Sequence, residues 1–335
     1  MNTALSAFSQ VLDQDMYYRQ GYRKLYLEPE AQAFDYCYEE GPLQFKVMSI
    51  KRPILQVAGQ ALEEEWYDLE THYGYGGPLS NSADPDFLAR AFDAYRHHCA
   101  NNRIICEFIR FHPLNELGAQ AGWYDFHALE RQVVSVDLRG DETARWQGYS
   151  KTCRNLLRRS LECLTVDEQL PLEDFLPLYR QTMDKNRAAA FFYFDQEYFQ
   201  GLASLPGCRL LGIRNAQGQL ISAGFFFFCP PLAHYHLSAN LPDAVRENGN
   251  YLLLEHAFRL AKAAGCQQML LGGGRTAATD DSLFKFKTKF SKDILPFYIS
   301  GIDFIPGQRN RLNALWQAQF PQRQLRHFQK YRLTE

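Results

Sequence analysis

The chain has 335 residues, of which 46% are hydrophobic and 22% charged, with a formal net charge of -2. This is the composition of a folded globular protein with room for two ordinary domains, and it excludes a global basic field for DNA. No uncharged apolar run is long enough to span a bilayer, and no basic leader precedes an apolar stretch, so a soluble cytoplasmic protein without integral membrane contact is expected.

In the first half, strands are expected around Phe34–Tyr38 and Gln44–Lys51, then a helix from Asp86 to Asn101 and strands at Ile104–Phe111 and Gln132–Leu138. The weakest joint follows at Leu138-Arg139-Gly140-Asp141, which suggests domains of 1–140 and 141–335. Next come a short strand at Leu164–Val166 and helices at Leu172–Asn186 and Asp195–Ser204. A three-strand meander is read from Arg209–Arg214, Leu220–Cys229 and His234–Ala239. Its middle strand, with Phe225 to Phe228, is apolar on both faces. A helix from Tyr251 to Ala264 stops at Gly265, and Gln268–Leu271 is a buried strand. Asp280 or Asp281 caps a helix reaching about Phe290, and Phe297–Ile302 is a late strand. The class is α/β (α+β) with a mixed sheet.

The eight cysteines show no Cys-x-x-Cys spacing, and Cys106 and Cys229 fall in strand-like runs. Reduced core thiols explain this better than disulfides or zinc, and no metal is expected.

Several stretches have chemical potential, each with a plain structural alternative. In Tyr73-Gly74-Tyr75-Gly76-Gly77-Pro78, glycines lacking a Cβ let backbone approach a ligand, with Tyr73 or Tyr75 offering a hydroxyl; otherwise the stretch is a connecting loop. Lys151, Arg154 and Arg158 share one face of a helix, suited to phosphate or simply solvated. Arg187, after a helix end, either orients an anion or complements the helix dipole. Asn248-Gly249-Asn250 opens a helix after a strand, where exposed N–H groups meet an anion or form an ordinary cap. A proton acceptor among His236, Tyr235 and Glu255 competes with core or solvated roles. From Pro306 onward Arg309, Arg311, Arg323, Arg326, Lys330 and Arg332 form a basic C-terminal extension, a tRNA surface or a helix covering.

The order strand, two helices, meander, helix, strand, helix, strand resembles the GNAT acyltransferase fold over most of Gly148 to Ile302, and the first half is compatible with a second, degenerate GNAT-like unit in tandem. Local strings add to this: Tyr73 to Leu79, Lys151 to Arg159, Met183 to Arg187, Leu271 to Gly274 and Leu283 to Phe290. Together they resemble the FemABX-like aminoacyltransferases and related FemAB-like envelope and polysaccharide biosynthesis proteins. The resemblance implies an N-acyltransferase that moves an acyl or aminoacyl group from a thioester or tRNA ester to an amine. It implies acyl-coenzyme A as donor, bound at Asn248, Gly249 and Asn250, with aminoacyl-tRNA as the alternative. The implied acceptor is a small molecule or a nucleotide- or lipid-linked precursor. Phe286 and Lys287 match the Phe-Lys pair of the family's reaction centre, where an ammonium stabilises an oxyanion; the plain alternative is an amphipathic helix with phenylalanines inward and lysines outward. No long charged coiled-coil arm is present, unlike some tRNA-using members. The alternative is a non-catalytic GNAT-like module that binds an anionic precursor or a partner protein.

Overall fold

The computed structural model describes residues 11–334. It forms two compact units, one of Met1–Glu130 with Pro296–Glu335 and one of Arg131–Leu295. In the first, α1 (Gln20–Lys24) leads into a meander of β1 (Gln32–Glu40), β2 (Leu43–Val57) and β3 (Gln60–Glu70). Ala58 and Gly59 take positive φ, 50° and 80°, which the tight turn between β2 and β3 requires. The short β4 (Leu79–Ser80) pairs with β2 and precedes α2 (Pro85–Asn101). Asp84 caps α2 by accepting from the Asp86 N–H, and Pro85 occupies a first-turn position where no N–H partner exists. Phe87, Ala91, Phe92 and Tyr95 of α2 bury against Phe45, Ile104 and Ile109. β5 (Ile104–Arg110) pairs parallel with β3.

The chain passes into the second unit within β6 (Phe126–Asp137). There α3 (Glu142–Gly148) and α4 (Lys151–Cys163) are followed by β7 (Thr165–Asp167), α5 (Leu172–Asn186) and α6 (Gln196–Ser204). The meander of β8 (Cys208–Arg214), β9 (Leu220–Cys229) and β10 (Leu232–Asn240) comes next, then α7 (Gly249–Ala263), β11 (Gln268–Gly272) and α8 (Ser282–Lys287). The strand order is β6-β11-β10-β9-β8-β7, antiparallel throughout except for β10 and β11. β9 is an interior strand, buried at every residue after Leu220. Its phenylalanines serve both faces: Phe225 packs on Phe175 and Phe199 of α5 and α6, and Phe226 and Phe228 join the core around α7.

β12 (Asp293–Asp303) returns the chain to the first unit, where Ile299–Asp303 pair antiparallel with β5. α9 (Gln308–Gln319) then buries Leu312 and Trp316 against Ile54, Ile105 and Tyr331. This apolar face ties the C-terminal residues to the first unit, so the compact units differ from the expected 1–140 and 141–335. Among the described residues, five of the labelled helices and strands lie beyond those expected, α1, β3, β4, α3 and α9, and α8 ends at Lys287 rather than near Phe290. The α/β class with mixed sheets and an interior Phe-rich strand is as expected. None of the eight cysteines is joined in a disulfide.

Candidate active site

The opening in the second unit's sheet is local. β10 and β11 pair over only Leu232↔Gln268, Ala233↔Met269 and His234↔Leu270. β10 runs on to Asn240 while β11 ends at Gly272, so from Tyr235 onward the two strands part. A bulge falls at the same place, because Tyr235 pairs with Phe226 and Leu237 with Phe225, leaving His236 as the extra residue. Bulges bend a strand and re-aim its side chains.

Lys287 points into the interior from the end of α8 with 6% of its surface exposed, the only lysine among the buried polar residues described. Phe284 lies one helical turn before it on the same face and is also buried. The Lys287 ammonium donates to the Gly273 carbonyl at 2.7 Å and lies 5.8 Å from the centre of the Tyr235 ring. Burial pushes its pKa down to about 7, with Arg131 acting in the same direction and Asp281 opposing.

The turn that presents this carbonyl is held from several sides. A Cβ on Gly273 would come within 2.6 Å of the Gln132 carbonyl oxygen, and one on Gly274 within 2.5 Å of an Asp281 carboxylate oxygen. Arg131 Nη1 donates to the Gly274 carbonyl at 3.0 Å. Asp281 caps α8, accepting from Leu283 and Phe284 N–H at 2.9 and 3.0 Å. Burial opposes its ionisation, but four backbone N–H groups outweigh that and hold its carboxyl below the ordinary value.

Phe286 packs edge-on against Tyr251 of α7, with ring centroids 5.0 Å apart. Asn248 takes a left-handed conformation (φ 60°, ψ 30°) at the start of α7 and makes no side-chain cap, Gly249 is buried, and the Asn250 side chain accepts from Ser222 Oγ at 2.6 Å. A Cβ on Gly249 would meet Ser222 Cβ at 3.0 Å, so the helix start lies directly on β9. Lys289 reaches the first turn of α7, donating to the Tyr251 hydroxyl at 2.9 Å.

The basic face of α4 is divided. Lys151 and Arg158 are exposed, and Arg158 donates to Asn155 at 3.0 Å and lies over Trp146. Arg154 donates to the carbonyls of Gln147 and Tyr149, closing the end of α3. Arg187 is exposed and ends α5 in the left-handed conformation (φ 47°, ψ 49°). Thr182 ties the same end of α5 to β10, accepting from the Asn240 N–H at 2.9 Å.

Glu255 accepts from Arg145 at 3.0 Å and from Tyr149 at 2.5 Å, a buried ion pair in the core of the second unit. Tyr235 stacks on Phe226, and burial pushes its phenol up to about 12. His236 faces the other side of the sheet, stacked on Phe227 at 4.4 Å, with Nε2 3.5 Å from the Tyr198 hydroxyl of α6.

The remaining sequence candidates lie in the first unit. The Tyr73–Pro78 loop packs on its own neighbours. A Cβ on Gly74 would meet the Tyr17 ring at 2.2 Å, and one on Gly77 the Phe111 ring at 2.6 Å. The Gly76 carbonyl accepts from the Tyr18 hydroxyl at 2.6 Å, and Tyr75 stands edge-on to Phe297 at 5.4 Å. Tyr73 contacts Tyr26. Of the C-terminal cations, Arg309 pairs with Asp303 in a two-pronged contact (2.6 and 2.8 Å), Arg332 with Asp68 and Arg311 with Glu64.

Arg131 and Gly273 were not singled out by the sequence reading. Gly273 belongs to a visible three-glycine string, whereas nothing in the sequence distinguishes Arg131 from other strand-flanking arginines. No protein-family model and no characterised protein sequence matches the chain. Among solved structures, FemX aligns with a TM-score of 0.65 over 94% of this chain and 97% of its own, at 13% identity. L-PGS from Bacillus licheniformis gives 0.48 over 87% and 90% at 12% identity. A tandem GNAT protein from the clavulanic acid biosynthesis pathway gives 0.43 over 83% and 85% at 14% identity. At such identities the FemX likeness speaks for the fold, and with the strand order of the second unit it makes this a GNAT-type fold of the FemABX-like form.

Proposed function

We propose that the second unit transfers an acyl or aminoacyl group from a thioester or ester to an acceptor amine where β10 and β11 part. Lys287 is the observation that carries this reading. A buried lysine paired with a backbone carbonyl rather than a carboxylate is costly for a fold, and such groups cluster at functional sites. A protonated lysine has three N–H bonds, and the Gly273 carbonyl takes one. The others suit the oxygen of a donor carbonyl as amine attack gives it negative charge. With its pKa near 7, the group holds its proton only loosely in the resting site, and a developing oxyanion tightens that hold. The interaction is thus strongest in the transition state, the condition for faster turnover.

Acyl-coenzyme A is the donor this arrangement favours. The start of α7 lacks a side-chain cap, and Lys289 brings a cation to its first turn, a combination that suits a pyrophosphate. Aminoacyl-tRNA has less support, since Arg309, Arg311 and Arg332 are each paired with an acid. For an anionic acceptor, Lys151, Arg158 and Arg187 are the exposed candidates, whereas Arg154 serves the end of α3.

The test is thiol release from acetyl-coenzyme A and longer acyl-coenzyme A with a panel of primary amines, with aminoacyl-tRNA deacylation run in parallel. Lys287→Met should lower kcat about a hundredfold with little change in KM, the scale of losing one oxyanion donor. The exposed Lys285→Met is the control. Equal small losses in both variants, with folding intact, would remove Lys287 from the reaction.

A further inference from the structure

An amine at neutral pH is an ammonium and cannot attack until it loses a proton. Lys287 does not meet this need, because stabilising the oxyanion requires its proton. We propose that His236, the extra residue of the β10 bulge, is the proton acceptor for the attacking amine, with Tyr198 as its positioning residue. This rests on the acyl-transfer reading above and adds the group that reading lacks.

Three observations converge on His236. The bulge lies where β10 has just left β11, so the extra residue sits at the opening of the sheet. Its side chain lies on the α5–α6 face with Phe227 and Tyr198, while Tyr235 beside it packs on the α7 face with Phe226. The two adjacent residues thus put a proton acceptor and the ring beside Lys287 on opposite faces of one strand edge. Finally, the ring is oriented: Phe227 stacks on it at 4.4 Å, and the Tyr198 hydroxyl that faces Nε2 is itself held by Phe194, stacked at 4.0 Å. Catalytic hydrogen bonds are often long without substrate, and 3.5 Å between Tyr198 and His236 is of that kind.

The competing groups are occupied or ill suited. Glu255 is ion-paired with Arg145 and accepts from the Tyr149 hydroxyl inside the core. Tyr235 is a phenol held protonated by burial. An imidazole accepts a proton near neutral pH.

The step balances as follows. With Nε2–H donating to the Tyr198 hydroxyl, the His236 imidazole takes one proton from the ammonium at Nδ1, and the neutral amine adds to the donor carbonyl carbon. The C–N bond forms as the carbonyl π pair moves to oxygen, facing Lys287. The pair then returns, and the C–S bond of the thioester (or the C–O bond of an ester) breaks. The leaving atom takes the bonding pair and the second amine proton, giving an amide and a thiol or hydroxyl. The imidazolium returns its proton to water.

The test uses the full chain, acetyl-coenzyme A and the amine panel, with melting temperature as a folding check. His236→Ala should lower kcat about a hundredfold while leaving the KM for acetyl-coenzyme A near wild type, and added imidazole should restore part of the lost turnover. Tyr198→Phe should lose a few-fold in kcat. An active wild type with unchanged turnover in His236→Ala, or with a loss that imidazole does not reverse in a normally melting variant, overturns the role of His236 and leaves acyl transfer standing. A wild type that consumes no acyl-coenzyme A and deacylates no aminoacyl-tRNA overturns both.

Discussion

The two units use one plan and finish it differently. Each has an antiparallel meander, a helix, and a strand running parallel to the last meander strand: β3 with β5, and β10 with β11. In the first unit the seam is stitched beyond the strand ends. Thr71 N–H donates to the Phe108 carbonyl, Thr71 Oγ1 accepts from the Arg110 N–H at 2.9 Å, and Gly76 bridges to Phe111. In the second unit pairing stops at His234 and Leu270 and a bulge follows. The buried ionisable groups differ in the same sense. Glu107 of β5 is satisfied by the hydroxyls of Ser49 and Tyr95, and burial pushes its pKa up to about 7, so it keeps its proton well above the usual carboxylate range inside a closed core. Lys287, also shifted toward neutrality, has a carbonyl for its partner and stands at the open seam. A closed seam with a satisfied acid is architecture, and an open one with a strained base is where chemistry has room.

The largest expected contrast comes from substituting both groups. Lys287→Met should cost about a hundredfold in kcat, and Glu107→Gln should leave turnover unchanged. Comparable losses would erase the distinction between the units. Gly273→Ala comes next, because its Cβ meets the Gln132 carbonyl oxygen at 2.6 Å and the turn must shift. It should destabilise the fold by about 1–3 kcal/mol and lower turnover, since the carbonyl that holds Lys287 moves with the turn. Thr71→Ala, in the stitched seam, should cost about 1 kcal/mol in denaturant unfolding without changing kcat.

The smallest effect is a slope. The folded-state pKa of Glu107 is raised from 4.5 to about 7, so its stabilisation is fully present below pH 4.5 and is lost as pH rises through 7. Glu107→Gln should remove that decline from a plot of unfolding free energy against pH. A decline retained in the variant would assign it to another group.

Much of the second unit was legible because its signals are local. The four phenylalanines of β9 have no polar alternation, and of the helical stripe Leu253, Leu254, Ala257, Leu260 and Ala261 all but the partly buried Leu260 are buried. β3 was not legible: its first half, Gln60-Ala61-Leu62-Glu63-Glu64-Glu65, is acidic and largely exposed and lacks the apolar alternation of a half-buried strand. Nor could spacing show that β12 pairs with β5, or β6 with β11, since the choice between similar strands is made by tertiary packing. At the site, Lys287 is reached through its resemblance to a Phe-Lys pair, while the pattern of phenylalanines inward and lysines outward fails there, because Lys287 is buried on the same face as Phe284. Its carbonyl partner and the bulge at His236 depend on backbone geometry that no residue pattern announces.

The most direct test of the account is the pH dependence of thermal stability in wild type and Lys287→Met. The folded-state pKa of Lys287 is lowered from 10.5 to about 7, so between these values the unfolded chain carries the extra proton. Wild type should therefore gain stability as pH rises from 7 toward 10.5. The variant should lack that gain, melt higher than wild type at pH 7, and converge with it at high pH. Parallel curves, or a variant that melts lower at pH 7, would mean that Lys287 is a contented cation, and the open seam would lose the group on which its chemistry is argued.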